Sequence, residues 1–509
     1  MTRSMNRGTQ TVEHLTLAIT AFLCITIFST CSFIYPTNPW DDANVFMTIG
    51  KSMLAGKRLY LEICDQKGPV LFFLHEMAAA ISSRSFLGIY FVELICFYMY
   101  LHYSFKIMRL FSGSSIVLPL TCMIGVLTVS SDFFFYGDSV EELVLPIFSH
   151  CLYHMLAYIR SGRLPGWRQM LAIGIGAGIV FWLKFNLMIF YFGALVALLV
   201  IAYRHKMQNE LWRGICWIIG GMLLVTSGVI LYFAANGTLD ALWKYYFHNN
   251  LFLYHGSNSN GEPPFWWFKL VKLGIWTAMT MPILFFKVNK DIKLLVVLSY
   301  GLLLLSFSVL TVQLYYFLII FAFSPLFIYF FRNIRNTRRV YIAFILITMV
   351  CTAFNWNVVN LLSGTLPVKN IKMAEIINAD HSEDSEVLNF CSYDTGIYVL
   401  TDRLPLTKYH FMPNIQSEEV RKEQASLAES GRAKYLVRRI GRIRTIQDYY
   451  NVPIPTKYKL ICYEQEKYRY RFLTGPLNYL WNLGYPQVIL KHIMSEPDKQ
   501  ECFLYKRID

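Results

Sequence analysis

The sequence predicts a mainly α fold: a polytopic bundle of about eleven transmembrane helices, with interfacial helices in its first outer loop and a small soluble α/β domain towards its C-terminal end. Three observations predict it. The 509 residues are 55% hydrophobic and 16% aromatic against 16% charged, a balance that no single soluble core of ordinary size accommodates. Apolar stretches long enough to cross a hydrocarbon core of ~30 Å as helices recur from about residue 14 to about residue 359. Beyond that point the chain reads as ordinary soluble sequence, which divides it into residues 1–360 and 361–509.

Spans are expected near 14–35, 87–106, 115–133, 143–160, 167–183, 186–203, 214–235, 265–286, 294–310, 314–331 and 340–359. Their connections alternate in character. One set is short and basic: Arg3 with Arg7, Lys106 with Arg109, Arg160 to Arg168, Arg204 to Arg213, Lys287 to Lys293 and Arg332 to Arg339. Such connections stay in the cytoplasm. The other set carries acids, amides and aromatics and belongs outside: Asp41 to Lys67, Asp132 to Glu142, Lys184 to Asn186, Asn236 to Pro264 and Thr311 to Gln313. The N-terminus is then cytoplasmic and the C-terminal domain extracytoplasmic. The net charge of +14 follows from this topology rather than from nucleic-acid binding, because the basic residues are not interleaved with a stacking surface. The first apolar run has no small-residue cleavage site and reads as a retained helix. Eleven cysteines without a CxxC pair offer neither a zinc site nor a disulfide framework.

The first outer loop holds two helices. VLFFLHEMAAAI, residues 70–81, is too short to span and reads as a helix at, or dipping into, the outer interface. DANVFMTIGKSMLAG places Val45, Phe46, Ile49, Met53 and Leu54 on one face, the pattern of an amphipathic helix lying on the membrane surface. In the soluble part, EVLNFCSYD, KYLVRR, YKLICYE and ECFLYKRI read as short strands, and SEEVRKEQASLAESG as a helix stopped by its glycine.

The outer loops gather the candidate chemistry. Asp41 and Asp42 stand at a helix entrance, where either suits an N-cap and leaves the other available for chemistry. Asp138, Glu141 and Glu142 open a span, a costly place for carboxylates unless they are used, paired or capping the helix. Lys184 sits between two spans joined by almost no loop, either snorkelling to the interface or serving a site. Carboxylates beside fixed cations at a membrane boundary suit transfer of a group from a lipid-linked phosphate. The cations, Lys67, Lys184 and Arg58, would hold the phosphate, while a carboxylate takes a hydroxyl proton or holds a metal. Asn236 to Pro264 is rich in aromatics, amides and histidines. It forms either an interfacial aromatic belt or an acceptor site built on Tyr246, His248 and His255. A metal pair of the two histidines lacks further ligands.

WDDANVFMTIGKSMLAGKRLY and DQKGPVLFFLH together resemble the first outer loop of the bacterial C-type glycosyltransferases related to protein O-mannosyltransferases and lipid A aminoarabinose transferases. GDSVEELVLP, FWLKFNL and QLYYFLIIFAFSPL resemble later blocks of that family in the same order. The resemblance implies a multi-pass enzyme of the cytoplasmic membrane that moves a hexosyl or pentosyl group from a polyprenyl-phosphate donor, with inversion, to a glycan, lipid or protein acceptor at the outer face. By position it implies Asp42, or alternatively Asp41, as the loop-one carboxylate. Lys67 matches the basic corner, Glu141 or Glu142 the second acid, and Lys184 the central basic residue. Many relatives have Asp-Glu where Asp42 is followed by Ala43, which leaves the choice of base open. No organic cofactor is called for, and a divalent cation is left open. Two other classes fit the composition: a transporter or flippase for a lipid-linked sugar, and a polysaccharide polymerase. The acids cluster at one face and no internal repeat is evident, which disfavours the transporter. A polymerase would carry its chemistry in a large late loop, whereas here it sits in the first.

Overall fold

Helix occupies ten of the eleven expected span positions in a computed structural model that describes residues 7–253, 288–309, 314–331, 336–363, 370–382, 386–394, 396–413, 415, 417–440, 452–467 and 499–508. The remaining position, 265–286, lies outside the described residues. The order is α1 (Arg7–Phe28), α2 (Asp41–Leu54), α3 (Pro69–Ile81), α4 (Leu87–Phe111), α5 (Val117–Ser130), α6 (Val140–Ser161), α7 (Trp167–Lys184), α8 (Ile189–Arg204) and α9 (Gln208–Ala235). Next come α10 (Leu239–Leu242), running on as a π-helical segment Trp243–Leu253, and α11 (Lys290–Val309). A 3-10 helix Leu314–Phe327 leads into α12 (Ile328–Phe331), and α13 (Thr337–Phe354) and α14 (Trp356–Ser363) follow.

Five apolar segments among the described residues are long enough to cross a membrane by length and composition. One of them, Trp167–Arg204, counts 38 residues, roughly twice what a ~30 Å core takes. Extended backbone at Lys184 (φ −161°) divides it into α7 and α8. Burial separates bundle from lipid: only 17% of the apolar window of α9 and 6% of that of α13 is covered by protein. Trp212, Leu223, Leu231, Ile345, Met349 and Phe354 point outward, as lipid-facing side chains do. α7 packs on α9, α4 on α6, and α8 on α11. The 14 residues of the 3-10 helix rise ~2.0 Å each and cover about 28 Å, where an α-helix would cover about 21 Å.

Two expectations are corrected. The first span stops at Phe28 rather than near residue 35, because residues 29–36 fold into turns that cap onto a neighbouring loop, Thr30 N and Oγ1 both donating to Tyr136 O at 2.9 and 2.7 Å. And α2 does not lay its apolar face on lipid: every residue from Ala43 to Met53 is buried within the protein. Its apolar face packs on α3 so closely that a Cβ on Gly50 would stand 2.4 Å from the His75 carbonyl carbon. Its polar face is covered by the C-terminal region, with Thr48 Oγ1 donating to Asp394 Oδ2 at 2.9 Å and Lys51 Nζ donating to Tyr398 O at 2.9 Å and Asp402 Oδ1 at 3.0 Å.

That region holds α15 (Ile371–Asn378), β1 (Val387–Asn389), α16 (Ile397–Thr401), α17 (Glu418–Ser430), β2 (Tyr435–Ile440), β3 (Tyr458–Lys467) and β4 (Lys499–Arg507). All four expected strands are present. They form one sheet in the order β1-β2-β4-β3, parallel at β1/β2 and antiparallel elsewhere. Gly431, at φ 73°, ends α17 in the left-handed conformation that glycine adopts without strain.

Candidate active site

The Lys67-Gly68-Pro69 corner sets the geometry. Pro69 opens α3 at a position where its missing N–H costs nothing. Gly68 lies against the end of α7: a Cβ there would fall 2.0 Å from Trp182 O, and Gly68 N donates to Leu183 O at 3.3 Å. A side chain fits there only if the corner moves away. The Tyr60 hydroxyl fixes the opposite side by donating to Lys67 O at 2.5 Å. The corner carrying Lys67 is thus fastened to the helix end carrying Lys184.

The first turn of α2 faces this corner. Trp40 is the N-cap residue and uses no side-chain cap, so neither aspartate caps the helix. Both belong to its first turn, where the helix dipole favours negative charge. They diverge from there. Asp41 is held bidentately by Arg439 of β2, with Nη1 to Oδ1 at 2.6 Å and Nη2 to Oδ2 at 2.7 Å. Asp42 turns to the corner, its Oδ2 lying 3.7 Å from Lys67 Nζ and 3.5 Å from the Tyr315 hydroxyl, with about a third of the side chain exposed. Trp40 and Phe135 pack around the Tyr315 ring, with centroids 5.0 and 5.9 Å away.

Tyr316 links the second cation to the first. Lys184 Nζ sits 3.3 Å from its ring centroid and donates to Glu141 Oε1 at 2.6 Å, and Glu141 is fully buried. The charges of Lys67, Glu141 and Asp42 all act on the Tyr316 phenol. Behind them, Asp138 faces His75, whose Nε2 lies 3.1 Å from both carboxylate oxygens. Burial pushes the Asp138 carboxyl above its ordinary range against the opposing pull of His75. Asp138 N donates to Glu93 Oε1 at 2.7 Å and Glu142 Oε2 at 3.2 Å. Ser139 caps α6 by accepting from Glu142 N at 3.1 Å, so Glu142 belongs to a Ser-x-x-Glu capping arrangement. On the first loop, burial lifts the Asp65 carboxyl to about 6, with Lys67 opposing.

The structure therefore gathers Asp42, Lys67, Lys184 and Glu141 around Tyr315 and Tyr316, with Asp138 behind them on His75. It holds Arg58 apart, exposed and paired with Glu62 at 3.1 Å. Tyr246 is fully buried and braces the α7 end, its hydroxyl donating to Phe181 O and accepting from Phe185 N at 3.2 Å. The His248 ring packs on Phe252 at 5.3 Å, and His255 lies outside the described residues. Among the described residues, no group of three or more His, Cys, Asp or Glu side chains is arranged to hold a metal ion. Sequence reasoning missed Tyr315, Tyr316, Glu93 and Arg439. A mid-helix carboxylate was the signal for Glu93. The adjacent tyrosines lay inside a block already singled out, while nothing in KYLVRR marks Arg439.

Comparison with solved structures joins these observations. The chain matches ArnT from Cupriavidus metallidurans bound to undecaprenyl phosphate with a TM-score of 0.55 at 10% identity, over 86% of this chain and 94% of that one. The chain has an ArnT-like fold. The apo state of the same ArnT matches with a TM-score of 0.56 at 10% identity, over 85% of this chain and 92% of that one. No protein-family model and no curated protein sequence matches. The ArnT-like fold accounts for the polytopic bundle and the C-terminal sheet region together.

Proposed function

We propose that the chain is a glycosyltransferase of the cytoplasmic membrane that takes a sugar from a polyprenyl-phosphate donor and transfers it, with inversion, to an acceptor hydroxyl at the outer face. The N-terminus is cytoplasmic in this reading, and the C-terminal residues from about 361 onward form an extracytoplasmic domain. The observation that carries it is the meeting of Asp42 with Lys67 and Tyr315 in an ArnT-like fold. ArnT has been crystallised bound to undecaprenyl phosphate, and the same class of lipid supplies the phosphate here.

The acceptor oxygen attacks the anomeric carbon while the bond from that carbon to the phosphate oxygen breaks. Asp42 accepts the hydroxyl proton as the new bond forms. Lys67 and Lys184 hold the leaving phosphate, which departs with the bonding electron pair. Glu141 and the Tyr316 ring keep the Lys184 ammonium in place. Asp41 is the weaker candidate for the base, because its two oxygens are already engaged by a guanidinium.

The test is transfer from a panel of polyprenyl-phosphate sugars in membranes holding wild type, Asp42→Asn or Asp41→Asn at equal abundance. Asp42→Asn is expected to lower kcat by at least about a hundredfold. Full transfer by that variant would remove Asp42 as base, and no transfer from any donor by wild type would remove the reading itself.

A further inference from the structure

A cavity of about 150 Å³ opens between the first loop, the π-helical segment after α10 and the C-terminal region. Its polar lining includes Asp65 from the loop, Lys244, Tyr245 and Asn249 from the segment, and Tyr409 and Glu419 from the C-terminal region. The walls are tied together. Asn250 Nδ2 donates to Gln66 O at 2.7 Å, the Tyr245 and Tyr409 hydroxyls meet at 3.2 Å, and Lys408 reaches Glu419 at 3.0 Å. The pocket is close to the chemistry, for the charges of both Lys67 and Asp42 act on the Asp65 carboxyl.

We propose that this cavity receives one uncharged sugar ring of the acceptor, an assignment that rests on the glycosyltransferase reading above. Size is the first argument. Pockets for drug-sized ligands start at roughly 300 Å³, so half that volume takes a single ring and not a lipid body. Lining is the second: the Asn249 amide and the Asp65 and Glu419 carboxylates can bond a sugar's hydroxyls, and the buried phenols of Tyr245 and Tyr409 close the wall beside them. Charge is the third. Lys244 is directed to Glu419, 3.8 Å away, and that carboxylate also holds Lys408. Asp65 and Glu419 thus balance Lys244 and Lys408 at the wall, and an uncharged ring suits it, since a charged one would be desolvated with no net attraction in return.

Binding of methyl hexosides, a methyl hexosaminide and a methyl hexuronide to the full-length protein in detergent, read by saturation-transfer NMR, tests this without donor or turnover. Wild type is expected to bind the neutral hexosides at millimolar concentration and the charged hexosaminide and hexuronide each at least about tenfold more weakly. Asn249→Ala and Tyr409→Ala are expected to raise the glycoside Kd at least about tenfold, and Asp65→Asn to narrow the gap to the hexuronide. Asn249→Ala decides the matter if Tyr409→Ala melts early. Glycoside binding unchanged in a folded Asn249→Ala protein overturns the site, as does no binding to wild type. A fall in affinity for a polyprenyl-phosphate sugar, with glycoside binding intact, would assign the cavity to the donor and overturn the acceptor reading. Since transfer is not measured, failure of the catalytic reading registers separately, in the Asp42 assay.

Discussion

The ion pair between Asp41 and Arg439 is the sharpest test of how the C-terminal region serves the site. Two bonds of 2.6 and 2.7 Å join the carboxylate to the guanidinium, whose side chain is 6% exposed against 25% for Asp41. Removing one partner of a fully buried pair costs about 3–5 kcal/mol. Partial access of water to Asp41 reduces that to about 2–3 kcal/mol. Arg439→Gln, Asp41→Asn and the double variant form a cycle to be read by thermal melting in detergent and by kcat and KM for transfer. Each single change should lower stability by the amount above, and the double change by little more than either, giving a coupling of at least about 1 kcal/mol. Because Asp42 follows Asp41 on the same helical turn, kcat should fall in both single variants while donor KM changes little. Arg439→Lys should not rescue, since an ammonium cannot hold both oxygens in the fork that a guanidinium provides. Additivity within about 0.5 kcal/mol, with kcat intact, would refute the argument that the strand braces the helix.

Gly68→Ala is expected to be folded but destabilised by about 1–3 kcal/mol, with donor binding weakened, because the corner must retreat from Trp182 O. Thermal melting and lipid-phosphate binding check it. Glu141→Gln should weaken donor binding more than it weakens folding, since the Lys184 ammonium loses its 2.6 Å anchor but keeps the Tyr316 face. A titration with undecaprenyl phosphate reads the change. Burial raises the Asp394 carboxyl from 3.8 to about 7. The contribution is full below pH 3.8, where both states hold the proton, and is lost as pH rises to about 7 because only the unfolded state has released it. That is about 4 kcal/mol over the window, so wild type should melt lower at pH 7 than at pH 5, and Asp394→Asn should flatten the difference.

Hydrophobic length and the alternation of basic with polar connections made the helices legible, because both are properties of the chain against lipid and need no knowledge of neighbours. The four strands and α17 were legible for a similar reason: their patterns are local. The two faces of α2 were legible, but apolar periodicity does not say that protein rather than lipid covers the apolar one, nor that Asp394, Tyr398 and Asp402 cover the other. Lys67 and Lys184 could be named from their loops, but their fastening through Gly68 and Trp182 O is a contact between distant segments. The different partners of Asp41 and Asp42 depend on Arg439, which lies 398 residues from Asp41.

The strand order β1-β2-β4-β3 has a kinetic meaning. β4, synthesised after every membrane helix described, enters between β2 and β3 and supplies the neighbour that β2 needs on that edge. Arg439 on β2 cannot be presented firmly until that insertion is complete. The bidentate hold on Asp41 is thereby set by a strand made after the membrane helices, so the first turn of α2 is completed from the far end of the chain.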